Sequence, residues 1–455
     1  MKRNKIGLLG PVISGNLGNA ALEAAVIQEL APRFPEAHFY VSTGDSLEAL
    51  KNYGVRLFPL HRGVDKNFFS KPTVALWAPT TPIKSSALRR LLKKIPLLRP
   101  SVLKLRSLRR RCTALSQEVA FWVRSYAFVR EFRYLIVCGG GQLDDLWGGP
   151  WGLPYALFTW ALLAKLAGCS FIFLSVGAER TDSRLGRFFL RYALGLTQYR
   201  SYRDAHSKRI AEELGSRGEQ FVYPDLAFGL NLPLTTLQPA LDGVTRIVGV
   251  GPIAYCDPRA WPVKDETRYN RYLQALVQFV EYLIKAQRRV VLFTSQIDMD
   301  QPVIRDVKNL IRQRGLEPAD LLLLEEPITN LTHLMTFLPQ LDVVVGSRLH
   351  GCLLATLVGT PVLAISHEMK VTALMSDLGM SEFCLSIDKL ESKDLLERFW
   401  LLEHELPKMR ARIIARVREY RESLEEQYAR VFGRLSPEAM ASYGDHDTKV
   451  ISESY

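Results

Sequence analysis

The chain lacks paired cysteine motifs, long apolar runs and the common phosphate-loop signature, and each absence removes a class of function. Its six cysteines (112, 138, 169, 256, 352 and 384) are scattered, and most sit within apolar runs. No C-x-x-C pair or Cys/His spacing suits zinc, so a protein without a metal centre and with reduced, structural thiols is expected. The longest apolar stretch, "LPYALFTWALLAKLAG", carries Lys165 and falls short of the roughly 20 residues that a membrane-spanning helix needs. The opening "MKRNKIGLLGPVISG" has a basic head, but Gly10 and Pro11 interrupt its short apolar part. A helical pattern follows instead of a small-residue cleavage site, so it reads as a strand and turn, not a secretion signal. No Gly-Lys-Ser/Thr phosphate loop is found. Nucleic acid is not an expected partner, since no recognised binding motif accompanies the basic residues.

What is present is a soluble-type composition, 47% apolar and 23% charged, over 455 residues, a length that favours two domains. The net charge of +12 is concentrated. Residues 84–111, "KSSALRRLLKKIPLLRPSVLKLRSLRRR", hold eleven Lys/Arg and no acid. Leucines recur among these charges, so the segment is either a basic amphipathic surface for anionic lipid or a solvated insertion packed by its leucines.

Short β-type runs alternate with helical patterns throughout, which implies α/β architecture with parallel sheets. "KIGLLG", "HFYVS", "VRLFPL", "YLIVCGGG", "FIFLSVG" and "FVYPD" read as strands in the first half, with helices at 18–31 and 153–167. The stretch 230–245 reads as a linker, after which "RIVGVG", "RVVLFTS", "DLLLLE", "DVVVGS" and "PVLAIS" restart the alternation. The expected organisation is two Rossmann-like domains, 1–229 and 246–395, facing a cleft. Terminal helices would fill 396–435, and 436–455 reads as a disordered tail.

In such sheets, ligands collect beyond the carboxyl ends of the strands. The stretch "DVVVGSRLHGCLLATLVGTP" places a strand at Val343–Val345, Ser347 as the expected N-cap, and a helix running to about Val358. Arg348 and His350 then fall at the helix start, where free N–H groups and the helix dipole favour an anion. The alternative is a surface arginine beside a capping histidine. Gly139, Gly140 and Gly141 end another strand and either approach a ligand through backbone N–H groups or form a tight turn. In "YRSYRDAHSKR", Asp204 is expected to cap a helix while Arg203 faces the cleft. Asn16 and Gly18 lie in a Gly/Asn turn between the first strand and the first helix, suited to shaping an acceptor-side loop.

Together these pieces resemble the polysaccharide pyruvyl transferase family. The matching segments, in order between residues 7 and 388, are "GNLGN", "IVCGGGQL", "LLAKLAGCSFIFLSVGAE", "YRDAHS", "YPDLAF" and "GSRLHGCLLATLVGTPVLAISHEMK". The Arg-Leu-His triplet followed by Gly-x-Pro and Lys370 is the most specific. The family is similar in architecture to two-domain GT-B glycosyltransferases. The resemblance implies transfer of a pyruvyl group from phosphoenolpyruvate to a saccharide as a ketal, with phosphate released and no cofactor or metal. It assigns Arg348 and His350 to the donor site, with His350 as general acid or phosphate ligand. Arg203, Lys370 and Gly139–Gly141 assist there, and Asn16, Gly18 and Asn19 lie on the acceptor side. Two departures stand out. Asn19 replaces the acid that usually ends the Asn-x-Gly-Asp turn, and His367 occupies a position that is often aromatic.

A cytoplasmic enzyme of cell-surface polysaccharide synthesis follows from the resemblance. Residues 84–111 add the expectation of a lipid-linked acceptor at the inner membrane face. Two other readings fit the same residues: a nucleotide-sugar glycosyltransferase, and a non-catalytic saccharide-binding descendant that has lost the acid at Asn19.

Overall fold

The computed structural model describes residues 3–10, 15–42, 51–60, 99–146, 148–231, 246–315 and 323–434. The expected linker from 232 onward, the part of the basic segment at 84–98 and the expected tail lie outside these residues. The strands form two sheets, and every strand pairing among the described residues is parallel. Parallel pairing follows from the sequence, because most apolar strand runs are separated from the next by a helix-length crossover.

The first sheet comprises β1 (Lys5–Leu9), β2 (His38–Val41), β3 (Arg56–Leu57), β4 (Phe132–Cys138), β5 (Gly141–Leu143), β6 (Ser170–Ala178), β7 (Tyr199–Tyr202) and β8 (Phe221–Val222). Its order is β3-β2-β1-β4-β6-β7-β8, with β5 beside the end of β6. The second sheet comprises β9 (Ile247–Gly251), β10 (Arg289–Leu292), β11 (Leu323–Glu325), β12 (Val343–Gly346), β13 (Val362–Ser366) and β14 (Cys384–Ser386), in the order β11-β10-β9-β12-β13-β14. Both sheets therefore reverse direction beside their first strand, at β1/β4 and β9/β12. Those reversals are where an open α/β sheet leaves a crevice for ligand.

Helix α1 (Leu17–Leu30) follows β1, α2 (Arg99–Val129) precedes β4, and α3 (Leu153–Ala167), α4 (Arg184–Leu196) and α5 (Ala205–Glu213) follow within the first half. In the second half come α6 (Glu266–Lys285), α7 (Ile297–Gln313), α8 (Leu331–Phe337), α9 (Leu349–Leu357), α10 (Met369–Asp377), α11 (Ser392–His404) and α12 (Leu406–Phe432). Helix α1 is apolar on nearly all sides, with Gln28 its one residue outside the buried class, as a helix enclosed on both faces requires. It packs against the first sheet and also against α8 and α9 of the second half, so one apolar core runs through both halves.

The last helix returns to the first half. Gln427 on α12 is fully buried and donates to Ser201 on β7, while its Oε1 accepts from Ser175 on β6 at 3.2 Å. A buried amide satisfied only by the other sheet fixes where α12 docks.

Candidate active site

The corner after β12 is built by close packing. Gly346 and Gly351 keep α9 near the sheet: a Cβ on Gly346 would lie 2.8 Å from Cys352 Sγ, and one on Gly351 3.2 Å from Ser295 Oγ. Ser347 was the expected N-cap, but the cap position falls at Arg348, whose backbone is extended at φ −92°. The hydroxyl of Ser347 instead meets that of Tyr272 at 3.2 Å, which takes it away from the helix end.

The Arg348 side chain is held from below. Its Nε donates to Asp300 Oδ2 at 2.7 Å and its Nη2 to Oδ1 at 2.8 Å. Asp300 is fully buried in the first turn of α7, and its Oδ1 also accepts the Ala254 N–H at 2.9 Å. The sequence reading foresaw no such partner, and the pair gives Arg348 a structural role besides any ligand role. This side-on grip uses two of the five guanidinium donors. Among the described residues no hydrogen bond engages the outer edge, which is open to an anion, and the guanidinium carbon lies 5.7 Å from the centre of the Trp261 ring.

His350, two residues on, meets the Gly/Asn turn of the first half. A Cβ on Gly18 would lie 1.9 Å from His350 Cγ, so the imidazole rests where any side chain at 18 would be. The turn is fixed against the second half by backbone bonds, Leu17 N–H to Ser295 O at 3.0 Å and Ile297 N–H to Gly15 O at 2.9 Å. Asn16 spends its side chain on capping α1, its Oδ1 accepting from Gly18 and Asn19 N–H at 3.1 and 3.3 Å. Asn19 is buried at 3% exposure. The expected acceptor-side turn and the expected donor-side helix therefore touch.

Among the described residues, His350 Nε2 is sealed from solvent without a hydrogen-bond partner. Desolvation lowers its pKa from 6.5 to about 4, so the imidazole is neutral at pH 7. The charges of Asp225, Arg203, Lys370 and Glu368 also act on it, so two further sequence candidates, Arg203 and Lys370, lie within electrostatic reach of His350.

Each of those cations has a carboxylate beside it. Arg203 Nε is 3.3 Å from Asp204 Oδ2 and its Nη1 3.8 Å from Asp225 Oδ2, with the side chain almost fully buried over Gly177. Asp204 caps α5 as expected, accepting Ser207 N–H at 2.6 Å. Lys370 Nζ lies 2.7 Å from Glu368 Oε2. Burial alone would raise the Glu368 carboxyl, but the Lys370 charge and hydrogen bond, with the Arg203 charge beyond, help to outweigh it and hold the pKa low. Asp144 and Glu179 have raised pKa values through desolvation, each under the influence of Lys370. His367, at the position the family often fills with an aromatic, lies 5.6 Å from the Trp261 ring and 6.0 Å from that of Tyr255. Burial lowers its pKa to about 4, so it sits as a neutral ring in an aromatic slot.

The glycine run is a turn wired to the neighbouring strand. Gly139 and Gly140 adopt φ of +55° and +66°, conformations that disfavour a side chain. The Gly139 N–H is consumed by Leu174 O at 2.9 Å, and Gly140 O accepts from Gly177 N–H at 2.6 Å. Among the described residues no cluster of three or more His, Cys, Asp or Glu could hold a metal. Five described cysteines are unpaired, four of them buried.

Asp300, Asp225, Glu368, Glu179 and Asp144 were missed by sequence reasoning. Glu368, two residues before Lys370, and Asp225, within "YPDLAF", stood in quoted motifs. Asp300 gave only the weak signal of an acid in a first helical turn.

A family model described as polysaccharide pyruvyl transferase matches residues 16–369. No curated protein matches the chain. Among solved structures, the chain is similar to Anabaena HepE in complex with UDP, at 14% identity and a TM-score of 0.52, covering 94% of this chain and 100% of that one. It is similar to S. aureus MnaA bound to UDP at 10% identity and 0.51, covering 98% of each. A glycosyltransferase from Rickettsia africae gives 10% and 0.50, over 93% of this chain and 100% of that one. At these identities the similarity concerns the fold, which is the GT-B type: two parallel α/β halves with C-terminal helices.

Proposed function

Because the chain belongs to the polysaccharide pyruvyl transferase family, we propose that it transfers the pyruvyl group of phosphoenolpyruvate to a saccharide as a cyclic ketal, releasing phosphate. The observation that carries this reading is the Arg348/His350 corner. A guanidinium edge and an unpartnered imidazole nitrogen stand together at a helix N-terminus in a sheet crevice.

Phosphoenolpyruvate carries a phosphate and a carboxylate on one small frame. The free edge of Arg348 is suited to one of these bidentately, and Arg203 or Lys370 to the other. These cations are already countered by Asp300, Asp204, Asp225 and Glu368, so the donor must compete for charge that is partly spent. That favours a ligand with two anionic groups over one with a single charge.

The transfer needs a proton on the methylene carbon, leaving an oxocarbenium-like carbon. One sugar hydroxyl adds there and gives up its proton. A second hydroxyl of the same sugar then bonds to that carbon as the carbon–oxygen bond to phosphate breaks, and its proton leaves with the phosphate. Burial keeps His350 neutral at pH 7, and an arriving dianion raises its proton affinity. With donor bound it is suited to act as a general acid at the methylene or as a partner of the leaving phosphate. Asp144 and Glu179, with raised proton affinity, are suited to accept the proton of the attacking hydroxyl, a role open because Asn19 carries no carboxylate. The scheme calls for no cofactor. The acceptor in this reading is a saccharide of cell-surface polymer synthesis, presented at the inner face of the membrane.

The test is a turnover assay with phosphoenolpyruvate and a panel of hexose oligosaccharides, reading inorganic phosphate and the ketal methyl signal by NMR. Ketal formation with the wild type, lowered about 100-fold or more in His350→Ala, is expected. A nucleotide-sugar glycosyltransferase is the second reading, favoured by the UDP in the Anabaena and S. aureus structures. Consumption of a nucleotide sugar with no ketal would establish it instead.

A further inference from the structure

Helices α2, α3 and α4 cover one face of the first sheet, with α3 packed against both of the others. Their sequences contain eleven basic residues and one acid, Glu118. That acid is occupied, accepting the Tyr155 hydroxyl at 2.8 Å. A solvated helical layer ordinarily interleaves both signs of charge and keeps its aromatic residues inward. This layer does neither.

Helix α4 has three faces. Phe189, Leu190, Ala193 and Leu194 are buried against the sheet side. Arg184, Arg187 and Arg191 are exposed along one outer stripe. Leu185, Phe188 and Tyr192 follow along the adjacent stripe, with Phe188 at 46% and Tyr192 at 50% exposure. From there a chain of ring contacts runs through Phe158 and Phe189 to Tyr155 and Trp151, which is 63% exposed. On α2, Leu115, Val119 and Val123 recur at four-residue spacing, each more than half exposed. Exposed apolar groups on this scale mark an interaction surface.

We propose that this face docks the protein on an anionic lipid surface, with Trp151, Phe188 and Tyr192 entering the interfacial layer and Arg184, Arg187 and Arg191 meeting headgroup phosphates. The arrangement matches what an interface selects: amphipathic rings at headgroup depth, with cationic side chains reaching outward beside them. Charge complementarity decides among occupants. A second copy of the same face would set arginine rows against each other with no acid to receive them. Asp182, just before α4, is already paired with Arg180 at 3.0 Å, and Asp145 accepts the Ser183 N–H at 3.0 Å. Residues 99–111 of the basic run lie in the same helix, α2. No helix among the described residues is long and apolar enough to cross a membrane, so attachment through this face is peripheral. The inference goes beyond pyruvyl transfer, and its test uses no substrate.

The experiment is co-sedimentation of the full chain with vesicles of phosphatidylcholine alone or with one third phosphatidylglycerol, at low and high salt. Wild type is expected to prefer the anionic vesicles, with binding weakened by salt. Arg184→Gln/Arg187→Gln/Arg191→Gln should lose about fivefold per arginine, on the order of 100-fold together. Trp151→Ser/Phe188→Ser/Tyr192→Ser should lose the binding that survives high salt. If the aromatic variant does not fold, as judged by its thermal unfolding, the arginine variant carries the test, since its positions are exposed. Equal binding to neutral and anionic vesicles, or wild-type binding by the arginine variant, overturns the proposal. Concentration-dependent dimerisation abolished in Phe188→Ser, without vesicle binding, overturns it in favour of a second copy. Capture of heparin without vesicle binding overturns it in favour of a soluble polyanion.

Discussion

The imidazole of His350 occupies the space that a side chain on Gly18 would need, 1.9 Å from its ring carbon to where that Cβ would sit. One residue opens the first helix of the first half and the other opens α9 of the second. The two motifs that looked like separate acceptor and donor sites are one contact. Placing His350 thus depends on a glycine more than 300 residues away in sequence.

Gly18→Ala should therefore act as an active-site change. The intruding methyl meets ring and Cβ atoms of His350, so the imidazole must move. A displacement of this size is expected to lower turnover about 100-fold. Overpacking should cost roughly 1–3 kcal/mol of stability, visible as a modest fall in Tm. Turnover near wild type in a folded Gly18→Ala protein would show that His350 need not hold its position.

Asp300→Asn removes the carboxylate beneath Arg348 and leaves a half-buried cation unpaired. Breaking such a pair costs about 3 kcal/mol. Thermal unfolding should show this loss, and Asp300→Asn with Arg348→Gln should lose less than the sum of the single changes. Strict additivity would mean that the 2.7 and 2.8 Å contacts carry little energy.

Arg203→Gln should weaken phosphoenolpyruvate binding at least about tenfold, because a bound anion loses a charged, buried donor. Unchanged affinity measured by calorimetry would assign Arg203 to Asp204 and Asp225 alone. Gly177→Ala gives a second reading, since its Cβ would lie 2.6 Å from Arg203 Cζ and must displace the guanidinium.

Stability should fall on acidification earlier than carboxylates alone would cause. His350 and His367 have folded pKa values depressed from 6.5 to about 4, so the unfolded chain binds more protons between those limits. Their contribution is complete above pH 6.5 and is lost as pH drops toward 4, by about 3 kcal/mol per histidine at most. His350→Asn should flatten part of this slope in denaturant melts run between pH 4 and 7. An unchanged slope would mean that His350 is solvated.

Local chemistry was legible in the sequence wherever it was local in cause. Helix α1 and helix α3 lie within one residue of the expected 18–31 and 153–167, and α9 ends one residue before the expected Val358. Asp204 caps its helix as read. What the sequence did not show depends on packing across the chain. Ser347 is drawn from its cap by Tyr272, 75 residues away, and Arg348 is gripped by Asp300, 48 residues away. Asn16 was assigned to an acceptor loop, yet its side chain caps α1, a short-range role that Asn before a helix announces. Strand β7 went unread because "YRSY" alternates polar and aromatic residues without an aliphatic run.

The most direct measurement is thermal unfolding of the wild type and Arg348→Ala with millimolar phosphoenolpyruvate, set against a panel of nucleotide sugars. A ligand at about 100 times its Kd adds about 2.7 kcal/mol of stability. The account predicts that phosphoenolpyruvate raises the Tm of the wild type, that Arg348→Ala loses this shift, and that nucleotide sugars produce none. Stabilisation by a nucleotide sugar with no response to phosphoenolpyruvate would contradict pyruvyl transfer while leaving the GT-B fold intact.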